Sequence, residues 1–304
     1  MLEPSLEQRL RRVESLPTIP PILLQALHLL ENPEVSASAV AELIERDQAL
    51  TARLLRIANS PFYGFPRKVT TIRLAIALLG NDTLRELLMG TVAYDFVRLG
   101  PNHEQLREEL WKYSLYCAVA CRWLARRLGY RPVGEAFVAG LLHDIGILLA
   151  AAYLPEEFAA VFRYQARHRT AYCEAELAVL STTHAELGFW LAERWGLPEL
   201  LAIVMRDHHM PDPPLYPSSL PPNSPLAQLN QPLTALAACA EYLAHHAGLR
   251  AWSGEEQLRS PLYFPTALQQ HLVAHGVLYE SGEPEPAILE ELHAEYLQLA
   301  NIPW

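Results

Sequence analysis

Glu135-Ala136-Phe137-Val138-Ala139-Gly140-Leu141-Leu142-His143-Asp144-Ile145-Gly146 is an apolar run that ends on a histidine and an aspartate. The spacing predicts a helix over Glu135–Leu142 that delivers His143 and Asp144 at its end. Charged groups so close to an apolar helix are costly to bury without partners. An imidazole beside a carboxylate suits a borderline or hard metal cation, and the carboxylate can bridge to a second one. The pair is a metal site, the remnant of one, or a structural dyad in which Asp144 orients His143 or accepts backbone N–H groups.

Outward from this run, almost every periodic segment reads as helix. Val40, Leu43 and Ile44 share a face after a start near Ser36 or Ser38, and Asp47 caps a helix carrying Leu50, Leu54 and Ile57 up to Asn59-Ser60-Pro61. Thr70 or Thr71 opens another that stops at Gly80, and Asn81 caps a helix from Asp82 to about Val97. A long helix is expected from Glu104 to Leu128. Shorter ones follow from Pro155 to His168, Cys173 to Leu180, His184 to Trp195 and Pro198 to Arg206, with Thr183 as a cap and Gly196 as a stop. The stretch Met210–Pro232 holds eight prolines and reads as an extended loop. Helix resumes from Leu233 to Gly248, and the tail carries helices near Thr266–His275 and Pro286–Leu299. No strand pattern or internal repeat emerges, so the fold class is all-α. A boundary is placed near Gly100–His103, which divides the chain into helical segments over 1–102 and 103–250, the second containing the proline-rich loop 210–232, with a helical tail over 251–304.

The 304 residues are 51% hydrophobic and 19% charged, enough for one large or two modest cores. A formal charge of −10 repels polyanions, so no nucleic-acid partner is expected. Cys117, Cys121, Cys173 and Cys239 lack C-x-x-C spacing and read as small core residues. No signal peptide is seen over Met1–Leu16, and no apolar stretch is read as long enough to span a bilayer. The expectation is a cytoplasmic protein with no membrane partner.

Twelve histidines are spread along the chain. His184 opens a helix, and His208–His209 follow Asp207 at the end of another. Taken singly, each suits a helix terminus or a core position. Together with His143–Asp144, at the ends of three successive helices, they match the ligand count of a first-row metal site. His245–His246 read as helix-end residues. Phe62, Tyr63 and Phe65, between Pro61 and Pro66, form an aromatic loop read as interdomain packing.

Several further stretches carry a resemblance. They are Leu16-Pro17-Thr18-Ile19-Pro20, Asp47-Gln48-Ala49-Leu50-Thr51, Leu54 to Gly64, Ile72 to Gly80, Phe137 to Gly146, and Trp195-Gly196-Leu197-Pro198 followed by His208-His209. Through them the chain resembles the HDOD family, the HD-related output domains of bacterial signalling, over about Leu16 to Gly248. The resemblance implies an N-terminal helical bundle packed on an HD-like helical domain distantly related to HD and HD-GYP phosphohydrolases. It also implies a two-metal ligand pattern that is incomplete here. The first histidine of that pattern falls at Tyr113 and its late aspartate at Glu241. The lysine after His143-Asp144-Ile145-Gly146 is Ile147, and no Gly-Tyr-Pro follows His208–His209.

By this analogy one metal position would use Asp144, His184, His208 and His209, and that set is complete. The other would use His143 and Asp144 with Tyr113 and Glu241 in altered positions, and Glu109 stands one turn before Tyr113. A protonated phenol is a poor ligand for divalent ions. The expectation is a signalling module with one divalent transition metal (Fe, Mn, Ni or Zn) or none, and weak or absent catalysis by His143 and Asp144. The alternative is a metal-dependent phosphohydrolase acting on nucleotides or cyclic dinucleotides. The expected partner is a signalling protein or a small nucleotide-like ligand, and self-association is left open.

Overall fold

Caps and glycine stops place the N-terminal helices where their sequence signals lie. The computed structural model describes residues 18–32, 34–99, 104–209, 231–251 and 266–304, together with Leu6, Gln8 and Leu10. The expected boundary at 102/103 and the loop over 210–230 lie outside the described residues. After α1 (Pro21–Leu29), the Ser36 hydroxyl accepts the Ala39 N–H at 3.1 Å and opens α2 (Ala37–Ile44). The Asp47 carboxylate accepts the Leu50 N–H at 3.0 Å and opens α3 (Gln48–Ala58). Asn59 ends α3, and its amide both donates to and accepts from the backbone of Val69 at 2.8 Å. Thr71 caps the start of α4 (Ile72–Leu99), where it accepts the Leu74 N–H at 3.1 Å. The two helices expected there run end to end, with the break at Gly80, whose φ of 82° is a left-handed value that glycine tolerates.

α5 (Glu104–Leu128) is the axis of the second half, buried at every position from Tyr113 to Ala125. α6 (Val133–Leu142) starts two residues earlier than expected and crosses α5 closely. A Cβ on Gly140 would lie 2.5 Å from the Cys117 carbonyl oxygen, so only glycine permits that approach. α7 (Ile145–Tyr153) follows at once and was not foreseen. Its residues are apolar on every side, so they show no helical period, and Ile145–Ala151 are all buried. The expectation that no segment could span a bilayer needs correction, because Val133–Tyr153 passes by length and composition. Its burial inside the fold, and the His143–Asp144 pair in its middle, mark it as core.

α8 (Pro155–His168) and α10 (His184–Trp195) pack on α7, while α9 (Tyr172–Leu180) packs on α8 and α11 (Glu199–Asp207) on α10. α12 (Pro232–His246) begins at Pro232, one residue before the expected start at Leu233. Proline is tolerated at this first helical position. The tail supplies α13 (Thr266–Ala274) and α14 (Pro286–Ala300). No strand is present among the described residues, only an isolated bridge between Leu278 and Pro284.

One hydrophobic core runs from Leu10 in the N-terminal segment through α4–α12 to Ile302. Cys117, Cys121 and Cys239 lie within it as free thiols. Arg122 on α5 ties three parts of the chain together. Its Nη1 donates to Glu86 of α4 at 2.6 Å and its Nη2 to Glu295 of α14 at 2.7 Å, while Trp123 Nε1 donates to Glu291 at 2.9 Å. The aromatic loop packs inward as expected: Phe62 and Tyr63 lie against the main core, and Tyr63 stacks on Phe65 at 6.1 Å.

Candidate metal centre

Each functional side chain sits at a helix junction. His143 and Asp144 form the corner between α6 and α7. His184 is the first residue of α10, whose N-cap Thr183 accepts the Glu186 N–H at 3.3 Å. His208 and His209 follow α11. The approach of α7 to α10 brings these corners together. A Cβ on Gly146 would stand 1.9 Å from the His184 carbonyl oxygen, so glycine is required two residues after Asp144.

Asp144 Oδ1 is the centre of the arrangement. His184 Nε2 lies 3.1 Å from it and His208 Nε2 3.3 Å, while His209 Nε2 lies 2.9 Å from His184 Nε2. Asp144, His184, His208 and His209 each offer one ligand atom, and these atoms all lie within 4.8 Å of one another. Asp144, His184 and His208 are buried, and His209 is half-buried. His143 Nε2 faces the second carboxylate oxygen, 3.3 Å from Asp144 Oδ2.

The outward ring nitrogens show which way these histidines present their lone pairs. His143 Nδ1 lies 2.9 Å from the Gly140 carbonyl, His208 Nδ1 2.9 Å from the Met205 carbonyl, and His184 Nδ1 2.7 Å from Glu176 Oε2. Each partner accepts, so each Nδ1 carries the hydrogen and each Nε2 turns a lone pair inward. With Nε2 unprotonated, the lone pairs and the carboxylate oxygen crowded at 2.9–3.3 Å repel one another, and a shared proton or a cation among them relieves that repulsion. Donors around one cation at bond lengths of about 2.1 Å stand roughly 3.4 Å apart in a tetrahedral set. His143 Nε2, Asp144 Oδ1 and His208 Nε2 are buried without a hydrogen-bond partner, as expected of atoms built for a ligand. The residues present therefore fit a divalent transition metal.

Electrostatics point the same way. Burial works to raise the Asp144 carboxyl, but the favourable interactions of the His143, His184 and His208 rings around it outweigh burial, holding the acid well below the usual carboxylate range. Burial lowers His208 against the pull of Asp144. Burial and the adjacent His208 and His184 rings hold His209 well below the ordinary histidine value. Burial would lower His184 too, but Glu176 and Asp144 push it well above. The directions divide the cluster: Asp144, His208 and His209 are shifted toward the forms that bind a cation, whereas His184 and His143, raised by their carboxylate neighbours, must give up a proton to do so.

Not every sequence candidate joins the set. Glu241 comes close, its Oε2 3.8 Å from His209 Nδ1. Glu109 is half-exposed, accepts from Gln105 at 2.9 Å one turn away, and is not part of the donor cluster. On the Oδ2 side of Asp144, Tyr113 is buried with its ring 5.9 Å from that of His143, and Ile147 is buried in the core. His245, read as a helix-end residue, stacks on Tyr113 at 5.8 Å.

Glu176 escaped sequence reasoning. It is completely buried, accepts the His184 backbone N–H at 3.1 Å, and sits opposite Nδ1 of the same residue. The signal was present: Tyr172, Ala175, Glu176 and Leu180 form the buried stripe of α9, and a glutamate on such a stripe needs a partner.

Comparison with known proteins bears on the family and the fold. The family model of the HDOD domain matches residues 16–211. An uncharacterised protein of Treponema pallidum is 29% identical over 199 residues, covering 65% of this chain and 38% of that protein. The chain spans only about a third of the curated relatives it matches, 38% of that one and 30% of the Bacillus subtilis protein YuxH. Among solved structures, an HDOD domain protein of unknown function from Geobacter sulfurreducens is 29% identical with a TM-score of 0.68, covering 97% of this chain and 96% of that one. A Shewanella amazonensis protein, described as a proposed phosphohydrolase, is 24% identical with a TM-score of 0.65 and coverage of 96% on both sides. That second likeness speaks to the fold alone. With its family motifs matched over residues 16–211 and its histidine corners gathered on one aspartate, this chain belongs to the HDOD family.

Proposed function

We propose that this chain is a regulatory HDOD module that loads one divalent transition metal (Fe, Mn, Ni or Zn) on Asp144, His184, His208 and His209. In this reading the loaded state acts as a conformational or partner-binding signal, read by a signalling protein or a small nucleotide-like ligand, without phosphodiester hydrolysis. The observation that carries it is the asymmetry about Asp144. Its Oδ1 side gathers three imidazole nitrogens, whereas its Oδ2 side meets His143 and then the buried ring of Tyr113.

A bound cation of this kind supplies Lewis acidity and, at an open position, an activated water. Two-metal hydrolysis needs a second cation about 4 Å from the first. Among the described residues no second metal-ligating group forms on the Tyr113 side, and Ile147 offers no positive charge to a phosphate. Asp144 stays ionised to meet a cation, Glu176 holds His184 in register, and the Gly140 and Met205 carbonyls keep His143 and His208 in the ligating tautomer.

The alternative, a metal-dependent phosphohydrolase, draws on proposed phosphohydrolases among the structural neighbours. Metal content and turnover separate the two. Elemental analysis of the purified chain is expected to find about one transition metal per chain, lost in His208→Ala/His209→Ala. Assays with cyclic dinucleotides and p-nitrophenyl phosphate, with Mn²⁺, Fe²⁺ or Ni²⁺ added, are expected to show no product. Turnover abolished by Asp144→Ala would establish the alternative. Metal content indifferent to the double substitution would leave His143–Asp144 as a structural dyad.

A further inference from the structure

Two helices that lead into the histidine cluster, α6 and α11, and α12 beside it turn their opposite ends toward a separate cavity of about 460 Å³. α6 faces it with Glu135 and Val138, α11 with Leu201 and α12 with Thr234, while α4 closes it with Arg85 and Met89. The far ends of the same three helices carry His143–Asp144, His208–His209 and Glu241. The ten residues of α6 separate the two places by about 15 Å. The volume lies in the range of small-molecule sites, about 300–1,000 Å³.

Its charges are layered. Glu31, Arg131 and Glu199 are exposed at the rim. Deeper in, the charged side chains are Arg85 and Glu135. Burial pushes the Glu135 carboxyl above its usual range, and the Tyr130 hydroxyl donates to it at 2.7 Å. Arg85 gives one Nη to the Leu30 carbonyl. Its Nη1 is buried with no hydrogen-bond partner, and the nearest carboxylate oxygen, on Asp82, is 3.7 Å away. A guanidinium N–H left unsatisfied is costly, and a bound acceptor removes that cost.

The helix starts add to the same potential. α6, α11 and α12 begin behind Pro132, Pro198 and Gln231, and no side chain caps any of the three. Gln231 instead donates to Asp207 at 3.0 Å and accepts from Thr234 at 2.7 Å. The positive ends of these helices therefore face the cavity. Met89, Val138 and Leu201 make the rest of the wall apolar.

We propose that this cavity binds a small organic anion with an apolar or aromatic body, its carboxylate or phosphate seated on Arg85 and the helix starts. We infer also that occupancy reaches the histidine cluster through α6, α11 and α12. The binding half stands independently of the metal reading. The coupling half gives the regulatory role proposed above an input site.

The chain carries its own reporters. Of its four methionines, Met1, Met89, Met205 and Met210, Met89 lines the cavity, and Met205 is buried beside the cluster, its carbonyl facing His208 Nδ1. The full chain, labelled with ¹³C at the methionine methyls and held in metal-free buffer, would be titrated with phenyl phosphate, benzoate, benzyl alcohol and benzylamine. Met89→Leu and Met205→Leu assign the two signals. Phenyl phosphate or benzoate is expected to shift the Met89 methyl saturably, with benzyl alcohol and benzylamine inert at the same concentration. The tighter of the two anions distinguishes a phosphate site from a carboxylate site.

Arg85→Gln is expected to weaken the response at least tenfold. Because Arg85 also ties down Leu30, Leu201→Trp serves as a second variant that fills the cavity and leaves Arg85 in place, and it is expected to abolish the response. The Met205 methyl is expected to move along the same curve as Met89. A Met89 signal unmoved by either anion, or equally moved by the neutral and cationic probes, overturns the binding site. A Met205 signal that stays still while Met89 moves overturns the coupling. No metal enters the readout, so failure here and failure of the metal reading are told apart.

Discussion

Glu176 decides how His184 enters the cluster. A carboxylate that accepts both the backbone N–H and the ring Nδ1–H of one histidine fixes its position and its tautomer together. Glu176→Ala is expected to lower transition-metal affinity by about 10–100-fold, measured by competition with a chromogenic chelator. Glu176→Gln, whose amide oxygen can still accept from Nδ1, is expected to recover part of the loss. Gly146 acts by absence. Gly146→Ala would drive a methyl group into the His184 carbonyl, so chemical denaturation is expected to show a loss of about 3 kcal/mol or more. Wild-type stability in that variant would show that α7 and α10 are farther apart than described.

The elements divide by how they announce themselves. α2, α3 and α10 have side-chain caps and an apolar stripe, both local features that a sequence displays directly. α7 is apolar all round, and that erases the period by which a helix is recognised. Between elements, the ion pairs of Arg122 lock α4, α5 and α14. Arg122 and Glu86 are each only 4% exposed, so removing one partner strands a buried charge. Glu86→Ala is expected to cost about 3 kcal/mol in a urea melt, against a small effect for exposed Glu42→Ala.

At the start of α6, the pKa of Glu135 is raised from 4.5, mainly by burial. An acid that holds its proton more tightly when folded contributes stability below its unfolded pKa. That contribution fades as pH rises through the folded value. Glu135→Gln is therefore expected to gain stability relative to wild type as pH climbs from 4.5 towards neutrality. Thermal melts across that range check the sign.

The whole molecule includes its tail. α14 is held to α5 by Glu291 and Glu295, and the final residue, Trp304, lies edge-on to Trp111 at 5.7 Å against Gly90. A chain ended at residue 265 is expected to lose cooperative unfolding, seen as a broadened circular-dichroism melt, because it uncovers Trp111, Trp123 and the Arg122 pairs. A sharp melt would show that the tail is dispensable. Caps, stops and the 3.6-residue period act between near neighbours, so the helical class, most helix limits and the histidines worth watching can be read from the chain alone. That Asp144, His184, His208 and His209 meet, that Glu176 stands behind them and that Glu109 lies outside emerges only in the folded molecule. The fold also brings both His143 and His245 against the Tyr113 ring, and sets the cavity at the other end of α6 and α11. Those facts depend on how distant helices cross, and that is set by packing across the whole core.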